Sequence, residues 1–272
     1  MSLINPKEAV AQAYATGRAV GAFNVDSLDM QAGVIDGAIA GGSPIIIQVT
    51  SDTLDLWGWA RFTGLLIKEA ENAEVSVGLH LDHSTRLDDI LKAIDLGFTS
   101  VMYDGSVLPV HENIKNTRTI VEMAHKHGVM VEAELGHVGR SGEPPDWEAV
   151  TTASEALEFF EATEVDSLAV AIGTRHGKLT HPDRVNFKAL EEIKTLVTCP
   201  LVLHGASGVP DELLGKIIVL GISKVNIGTE LRRIWWRSVD QARGAKTRLA
   251  LHEASRAIAR YVEHKIRVLS RA

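Results

Sequence analysis

The chain has 272 residues, 45% of them hydrophobic, a length that suits one barrel-sized domain over residues 1–272 with a large core. The formal net charge of −7 and the lack of a long basic stripe outside the C-terminal tail exclude nucleic acid as an expected partner. The chain has one cysteine, Cys199, no apolar stretch of the roughly 18 residues that a membrane span needs and no basic-then-apolar pattern at its N-terminus. We therefore expect a cytoplasmic protein without a membrane partner.

Eight short apolar runs, each bounded by polar residues, glycine or proline, predict buried parallel strands. They cover residues 20–25, 44–49, 75–81, 100–103, 130–134, 167–172, 201–204 and 224–227. Apolar residues at three- and four-residue spacing predict helices between them, for example over residues 87–96, 114–125, 153–162 and 187–196. Two more predicted helices, residues 6–15 and about 245–269, lie outside these units. The alternation predicts an α/β protein, a (β/α)8 TIM barrel with extra N-terminal and C-terminal helices.

Residues 136–151 have no periodicity and include Gly139, Gly142, Pro144 and Pro145. This segment is long for a connection between a strand and a helix, and long connections in compact domains usually serve function. We expect a mobile active-site loop there.

Three histidines, His83, His176 and His204, follow the ends of predicted strands or close them. In a β/α barrel the carboxyl ends of all strands open onto one face, so these side chains are expected to converge. Imidazole is a common zinc ligand, and three protein ligands with one open position are typical of a catalytic site. The pattern predicts a three-histidine zinc site.

Carboxylates lie beside these histidines. In LHLDH, strand alternation sends His80 and Asp82 to one face, and His83 is expected to begin the loop. Asp82 is a candidate for moving a proton on a bound substrate, and the alternative is a carboxylate that only orients a histidine. In VEAELG, Glu132 and Glu134 share one face. We expect Glu134 at a second or alternate metal position and Glu132 in an ion pair with a lysine or arginine.

Small residues follow the last three predicted strands, where backbone N–H groups can approach a ligand closely. They are Gly177, Gly205, Ser207, Gly228 and Thr229. Barrels often bind phosphate at the loops after strands seven and eight, which here read HGASG and NIGTE. The pattern predicts a phosphate site beside the metal site.

The segments LHLDH, SVMYDGS, VEAELG, AVAIGTRHG, LVLHGASG and KVNIGTE, in this order and spacing, resemble the class II metal-dependent aldolases that act on fructose or tagatose bisphosphate. The similarity runs from Gly21 to about Trp236, and the tagatose branch looks nearest. It implies a lyase of carbohydrate metabolism. Such an enzyme reversibly cleaves a ketose phosphate, such as tagatose or fructose 1,6-bisphosphate, to dihydroxyacetone phosphate and an aldehyde.

The resemblance also implies roles around the metal. His83, His176 and His204 would bind Zn²⁺, and Glu134 would serve a second or resting metal position. Asp82 would exchange the proton of the substrate's C4 hydroxyl.

The implied ligand contacts lie at the donor end of the substrate. Asn226 would hold the enediolate in place. Dihydroxyacetone phosphate would contact Gly177, Gly205, Ser207, Asn226, Gly228 and Thr229. A monovalent cation, Na⁺ or K⁺, would lie against Gly177, Gly205 and Ser207.

Departures from the family pattern gather at the aldehyde end. The loop reads ELGHVGRSGEPPDW where the family continues ELGxxGG and an acidic pair, so Arg140 replaces a glycine. Glu143 is the nearby carboxylate and hence the candidate base for the carbon-bound proton of dihydroxyacetone phosphate. Thr50 stands where a serine is common, and HGKL lacks an aromatic residue. A DPR-type motif is missing, with Arg248 and Arg256 as stand-ins for a phosphate-gripping arginine. The aldehyde is therefore expected to differ from glyceraldehyde 3-phosphate.

Other interpretations stay open. Three imidazoles and an aspartate also suit a metal-dependent hydrolase or isomerase, and the altered loop suits a sugar-phosphate-binding protein that has lost turnover. Trp235, Trp236 and Tyr261 indicate either a surface of a homo-oligomer, a dimer or a tetramer, or packing against their own barrel.

Overall fold

Eight parallel strands close into a barrel in the order β1 to β8, each paired with its neighbours in sequence and β8 paired with β1. The computed structural model describes residues 2–139, 150–177 and 185–271. The strands are β1 Val20–Asn24, β2 Ile45–Thr50, β3 Val77–Ser84, β4 Ser100–Tyr103, β5 Met130–Leu135, β6 Ser167–Val170, β7 Leu201–Leu203 and β8 Ile222–Ile227. All eight coincide with predicted runs, and only their ends differ. The predicted (β/α)8 TIM barrel is confirmed.

The described residues form eleven α-helices that surround the barrel or cap its end. They are α1 Lys7–Ala15, α2 Leu28–Gly41, α3 Ser51–Trp57, α4 Trp59–Asn72, α5 Leu87–Asp95, α6 Val110–Lys126, α7 Ala153–Thr163, α8 Phe187–Leu196, α9 Asp211–Val219, α10 Thr229–Gln241 and α11 Thr247–Leu269. Helices α1 and α11 are the predicted extra ones. Across these described segments, none of the helices has the length and apolar character needed to cross a membrane.

One strand departs from its predicted course. We expected His83 to begin a loop, but β3 continues to Ser84, and its register against β4 shifts between Leu81 and Ser84. His83 itself has a φ of 49°. A left-handed conformation is uncommon for a histidine and is kept only where the surroundings enforce it. The expectation of a loop at His83 was therefore wrong, and the bulge instead re-aims its ring.

The barrel interior changes character along its axis. At its N-terminal end, Val20, Ala22, Ile46 and Met130 pack with Val10 and Ala13 of α1, and all are buried. Helix α1 therefore closes this end with apolar side chains. The large core lies between the outer faces of the strands and the surrounding helices. The C-terminal half of the interior is lined by buried polar and charged side chains, and these form the site described next.

Candidate active site

The three predicted ligand histidines converge at the C-terminal end of the barrel. His83 lies at the bulge of β3, His176 follows β6, and His204 directly follows β7. The ring of His83 lies with its centroid 4.9 Å from that of His176 and 4.6 Å from that of His204. One nitrogen from each ring lies within 4.8 Å of the others. The strand ends thus bring together side chains that are up to 121 residues apart in sequence.

Carboxylates hold the outer nitrogens of two of these rings. His83 Nδ1 lies 2.9 Å from Asp104 Oδ2, and His204 Nε2 lies 2.9 Å from Glu132 Oε1. An ionised carboxylate only accepts hydrogen bonds, so each of these nitrogens carries the proton. The inner nitrogens, His83 Nε2 and His204 Nδ1, lie 2.9 Å apart. When both rings are neutral, these atoms face each other with lone pairs, and that arrangement requires a cation between or beside them.

These distances fit a metal. Two nitrogens bound to one tetrahedral zinc lie about 3.3 Å apart, given Zn–N bonds of about 2.0–2.1 Å. The inner nitrogens of His83 and His204 are within a few tenths of an ångström of that spacing. A histidine ligand whose other nitrogen donates to a carboxylate is also the usual arrangement in metal sites. His83, His176 and His204 therefore form a set that suits zinc.

Electrostatics favour a positive charge at the same point. Burial alone lowers the pKa of His83, but the charge of Asp82, then the hydrogen bond to Asp104 and the charge of Glu134, raise it to about 9. Burial and the neighbouring charge of His83 hold the pKa of His204 well below its usual value. The surrounding carboxylates thus stabilise one cation among the rings, whether a proton or a metal ion.

Asp104 is a site residue that was not predicted from the sequence. With His83 and Glu134 it forms a second cluster whose ligand atoms lie within 4.8 Å of one another. Burial raises the pKa of Asp104, but its hydrogen bond and charge interaction with His83, and hydrogen bonds from Ser106, lower it far below its usual range. The segment SVMYDGS places this carboxylate directly after β4, beside β3. Asp104 thus follows the end of a predicted strand, as the histidines do, and this position is the sequence signal that points to it.

Glu134, the residue that the sequence suggests for a second metal position, belongs to this second cluster. Its Oε1 accepts a hydrogen bond from the Val138 backbone N–H at 3.0 Å. Its Oε2 is buried, lies 3.8 Å from His83 Nδ1 and has no hydrogen-bond partner among the described residues. Burial, followed by the charge of Asp104, raises the pKa of Glu134 to about 8. Burial and Asp104 disfavour the negative charge of Glu134, and a cation beside Oε2 would stabilise it. This oxygen is therefore available as a ligand atom for a cation.

Asp82 lies on the interior face of β3 and is 5% exposed. Its Oδ2 accepts a hydrogen bond from the Asn24 amide at 2.7 Å, whereas its buried Oδ1 has no hydrogen-bond partner within the described segments. Burial raises its pKa, but the charges of His83, His204 and Lys224 outweigh burial and lower it. Asp82 is thus an ionised carboxylate with one oxygen fixed and the other open to a proton.

A cavity of about 140 Å³ connects these groups with the small residues predicted to hold phosphate. Its walls include Gly177, Gly205, Ser207, Asn226, Gly228 and Thr229. Gly205 has a φ of 70°, and a Cβ there would collide with the backbone of Arg175. Helix α10 begins at Thr229, so the backbone N–H groups at the start of this helix lie at the cavity, an arrangement that favours an anion.

A wider outer cavity of about 510 Å³ adjoins this pocket. Thr50, His176 and Thr229 line both cavities, together with Arg232, while Arg86 lines the outer one. Neither arginine was predicted from the sequence. Each has a carboxylate nearby, Arg86 with Asp89 at 3.7 Å and Arg232 with Asp26 at 3.6 Å.

Five other residues were singled out from the sequence. Glu143 and Arg140, in the predicted mobile loop, lie outside the described residues. Arg248 and Arg256 lie on α11 with exposed side chains, and Arg256 is 3.6 Å from Glu253. Glu132 forms the expected ion pair, with Lys224 Nζ at 2.8 Å from its Oε2.

Known proteins resemble this chain in sequence and in fold. Residues 4–272 match the model of the family described as fructose-bisphosphate aldolase class-II. The YdjI aldolase from Escherichia coli K12 is 33% identical, with a TM-score of 0.89 over 98% of this chain and 97% of that one. A putative fructose-1,6-bisphosphate aldolase from Coccidioides immitis is 27% identical, with a TM-score of 0.88 over 97% and 96%.

A third solved structure shares the fold. It is a fructose-bisphosphate aldolase from Campylobacter jejuni, 21% identical, with a TM-score of 0.84 over 98% of this chain and 95% of that one. The family match covers nearly the whole sequence, including every strand of the barrel. The chain belongs to the class II fructose-bisphosphate aldolase family and is a lyase.

Proposed function

We propose that this protein is a zinc-dependent aldolase that reversibly cleaves a ketose phosphate, such as tagatose or fructose 1,6-bisphosphate, to dihydroxyacetone phosphate and an aldehyde. One observation carries the proposal. His83 and His204 present inner nitrogens 2.9 Å apart while carboxylates hold their outer nitrogens, and Asp82, beside them, keeps one oxygen open.

His83, His176 and His204 would hold the zinc ion, and Glu134, beside His83, suits a second or resting position. Bound there, zinc would act as a Lewis acid that polarises the carbonyl of the ketose and stabilises the negative charge that cleavage leaves behind. Hydrogen bonds to Asp104 and Glu132 fix the orientation of the His83 and His204 rings, respectively.

Asp82 is the proposed proton-transfer group. In the cleavage direction its Oδ1 accepts the proton of the C4 hydroxyl as the bond between C3 and C4 breaks. In condensation it returns that proton to the new alkoxide. The hydrogen bond from Asn24 to Oδ2 keeps the carboxylate turned so that Oδ1 faces this position.

Asn226 is proposed to bind the enediolate. Its amide nitrogen lies 3.1 Å from His204 Nε2, which already donates its proton to Glu132. The amide hydrogens are therefore available to an oxygen of the substrate that gains charge. Asn226 lines the same small cavity as Asp82 and two of the three histidines, His83 and His176.

The phosphate of dihydroxyacetone phosphate is proposed to lie against Gly177, Gly205, Ser207, Gly228 and Thr229. Support comes from the start of α10 at Thr229 and from the close approach of backbone at Gly205. By the family resemblance, Na⁺ or K⁺ would lie beside Gly177, Gly205 and Ser207.

The test is a product assay on purified, zinc-loaded protein with fructose and tagatose 1,6-bisphosphates as separate substrates. We expect release of dihydroxyacetone phosphate, its loss with a chelator and its return with zinc. Borohydride added with substrate should leave the enzyme active, because the proposal needs no Schiff base. Covalent trapping of a lysine would refute the proposal. A product other than dihydroxyacetone phosphate would also refute it and would favour a hydrolase or isomerase.

The aldehyde is a separate part of the proposal. We propose an acceptor other than glyceraldehyde 3-phosphate, because Arg140, Glu143 and Thr50 depart from the family pattern at the acceptor end. Thr50 lines both the small cavity and the outer one, where the aldehyde half would extend. Condensation of dihydroxyacetone phosphate with a panel of phosphorylated and unphosphorylated aldehydes tests this. A preference for glyceraldehyde 3-phosphate would contradict it.

A homo-oligomer, a dimer or a tetramer, is also proposed. Trp235 and Tyr261 pack against the core of their own barrel, but Trp236 is 61% exposed on α10. A tryptophan exposed to this extent suits a contact with a second copy of the chain. Light scattering on the purified protein measures the mass, and a monomer at micromolar concentration would contradict this part of the proposal.

A further inference from the structure

A chain of hydrogen bonds leads from the proton-transfer residue into the buried interior of the barrel. The Asn24 amide donates to Asp82 Oδ2 at 2.7 Å, and the Gln48 amide donates to Asn24 Oδ1 at 3.2 Å. The next member is Lys224, whose Nζ donates to Gln48 Oε1 at 2.7 Å. Asp82, Asn24, Gln48 and Lys224 therefore form one connected path across β3, β1, β2 and β8.

Lys224 is the centre of this network. Besides Gln48, its Nζ contacts Asn226 Oδ1 at 2.9 Å and Glu132 Oε2 at 2.8 Å. Its side chain is fully buried and is absent from the walls of both cavities. The three N–H donors of a lysine ammonium thus match three acceptors, and the ammonium lies behind the site without reaching the substrate cavity.

The ammonium group fixes the direction of every amide in the network. An amide side chain can turn either its oxygen or its NH₂ group toward a neighbour, whereas an ammonium only donates. Gln48 and Asn226 must therefore turn their oxygens toward Lys224. Gln48 is then left to donate to Asn24, and Asn24 to donate to Asp82. Asn226 is left with its NH₂ group on the side of His204 and the cavity.

We propose that Lys224 is a positioning residue for the aldol reaction, because its buried ammonium sets the direction of the Asn226 amide and, through Gln48 and Asn24, the orientation of Asp82. The inference rests on the proposed function of Asp82 and Asn226. Without the ammonium, Asn226 can turn its amide by half a rotation, and the donor that binds the enediolate is lost for part of the time. Gln48 loses the partner that fixes its direction, so its support of Asn24, and through Asn24 of Asp82, weakens.

The first test replaces the ammonium with an apolar group of similar length, Lys224→Met. We expect kcat for cleavage to fall by about 10²-fold, the usual size of a small misplacement of reacting groups. The KM for the ketose phosphate should change far less, since the phosphate contacts lie elsewhere. Zinc content should stay at the wild-type value, because His83, His176 and His204 are untouched.

Lys224→Met leaves the buried carboxylate of Glu132 without its cation, which can prevent folding. The double variant Lys224→Met with Glu132→Gln removes both charges of the pair. It takes the place of the single variant in the test if the single variant does not fold. With the ammonium gone, the new amide is free to turn its oxygen toward His204. We expect a folded, zinc-binding protein with the same loss in kcat.

The matched control is Val225→Ala. Val225 is the next residue on β8, fully buried in the core on the opposite face of the strand. Its truncation lowers stability through a cavity but leaves the network intact. A purely structural role for Lys224 predicts that both substitutions leave kcat unchanged once the protein is folded. The proposal predicts a low kcat in the Lys224 variants alone.

A double-mutant cycle tests the stated route. In an Asn226→Ala background one of the two branches is already cut, so Lys224→Met should lower kcat by a smaller factor than in the wild type. An equal factor in both backgrounds, or an unchanged kcat in folded Lys224 variants, would overturn the inference. Failure of the wild-type protein to release dihydroxyacetone phosphate would instead defeat the proposed function, before any variant is compared.

Discussion

The same strands line two chemically different halves of the barrel interior. Near the N-terminal end their inward side chains are apolar and pack on α1, and they are Val20, Ala22, Ile46 and Met130. Two or four residues further along the same faces, the inward side chains are largely buried but polar or charged, and they are Asn24, Gln48, Glu132 and Glu134. In each of the strands β1, β2 and β5, the inward side chains change from apolar to polar or charged along the length of the strand.

The two halves of the interior contribute differently, one to the stability of the fold and the other to the chemistry of the site. Each buried valine, isoleucine or methionine side chain in the N-terminal half of the interior, the lower half, contributes about 1.5–3 kcal/mol through the removal of apolar surface from water. In the C-terminal half, the upper half, burial of polar groups costs free energy of folding unless the groups are paired, and most of them are paired with one another. Glu132 with Lys224 and His83 with Asp104 are examples. The upper half therefore holds its side chains in fixed directions, and the lower half supports it.

The largest expected effect in the upper half comes from removal of one ligand. His176→Ala should abolish zinc binding and activity together, because two imidazoles leave too few ligands for a tight site. Zinc content measured by elemental analysis, alongside the product assay, checks this. Wild-type zinc content in the variant would contradict the assignment of His176. His111→Ala, an exposed histidine on α6, is the matched control and should behave as the wild type.

Asp82→Ala should lower kcat by about 10²- to 10⁴-fold while zinc stays bound, since general acid–base catalysis contributes on that scale. Steady-state cleavage kinetics and zinc analysis on the same sample measure both. Loss of the metal would give Asp82 only a supporting role around the histidines, the alternative that its position next to His83 leaves open.

Glu132→Gln should weaken zinc binding by about 10- to 100-fold, the usual effect of removing a group that holds a ligand histidine. The physical reason is that Lys224 attracts the new amide oxygen, so the NH₂ group faces His204 Nε2 and forces the proton onto the nitrogen that would bind metal. Competition with a chelator measures the affinity. Glu191→Gln, an exposed glutamate on α8, is the control, and equal affinities in the two variants would argue against the role of Glu132.

The smallest expected effect on activity comes from the lower half. Ile46→Ala should reduce the free energy of unfolding by about 2–5 kcal/mol through lost burial and a cavity. Zinc content and kcat at a temperature where the protein is folded should match the wild type. Denaturant unfolding and the product assay check both, and a large loss in kcat would show that the two halves are not separate.

Most of the architecture follows from the sequence, because short apolar runs and three- and four-residue spacing are local signals. The convergence of His83, His176 and His204 also follows, since strand ends meet on one face. The left-handed conformation of His83 does not, because tertiary contacts at the β3 bulge impose it. The directions of the amides of Gln48 and Asn226 do not either, because these depend on Lys224, which is 176 residues away from Gln48 in sequence.

The central claim is that three imidazoles hold one metal ion beside Asp82. Diffraction data collected at the zinc absorption edge from crystals of the zinc-loaded protein test it most directly. We predict one anomalous peak about 2.0–2.1 Å from His83 Nε2, His204 Nδ1 and a nitrogen of His176. A peak bound elsewhere, or none at these rings in zinc-loaded crystals, would contradict the account.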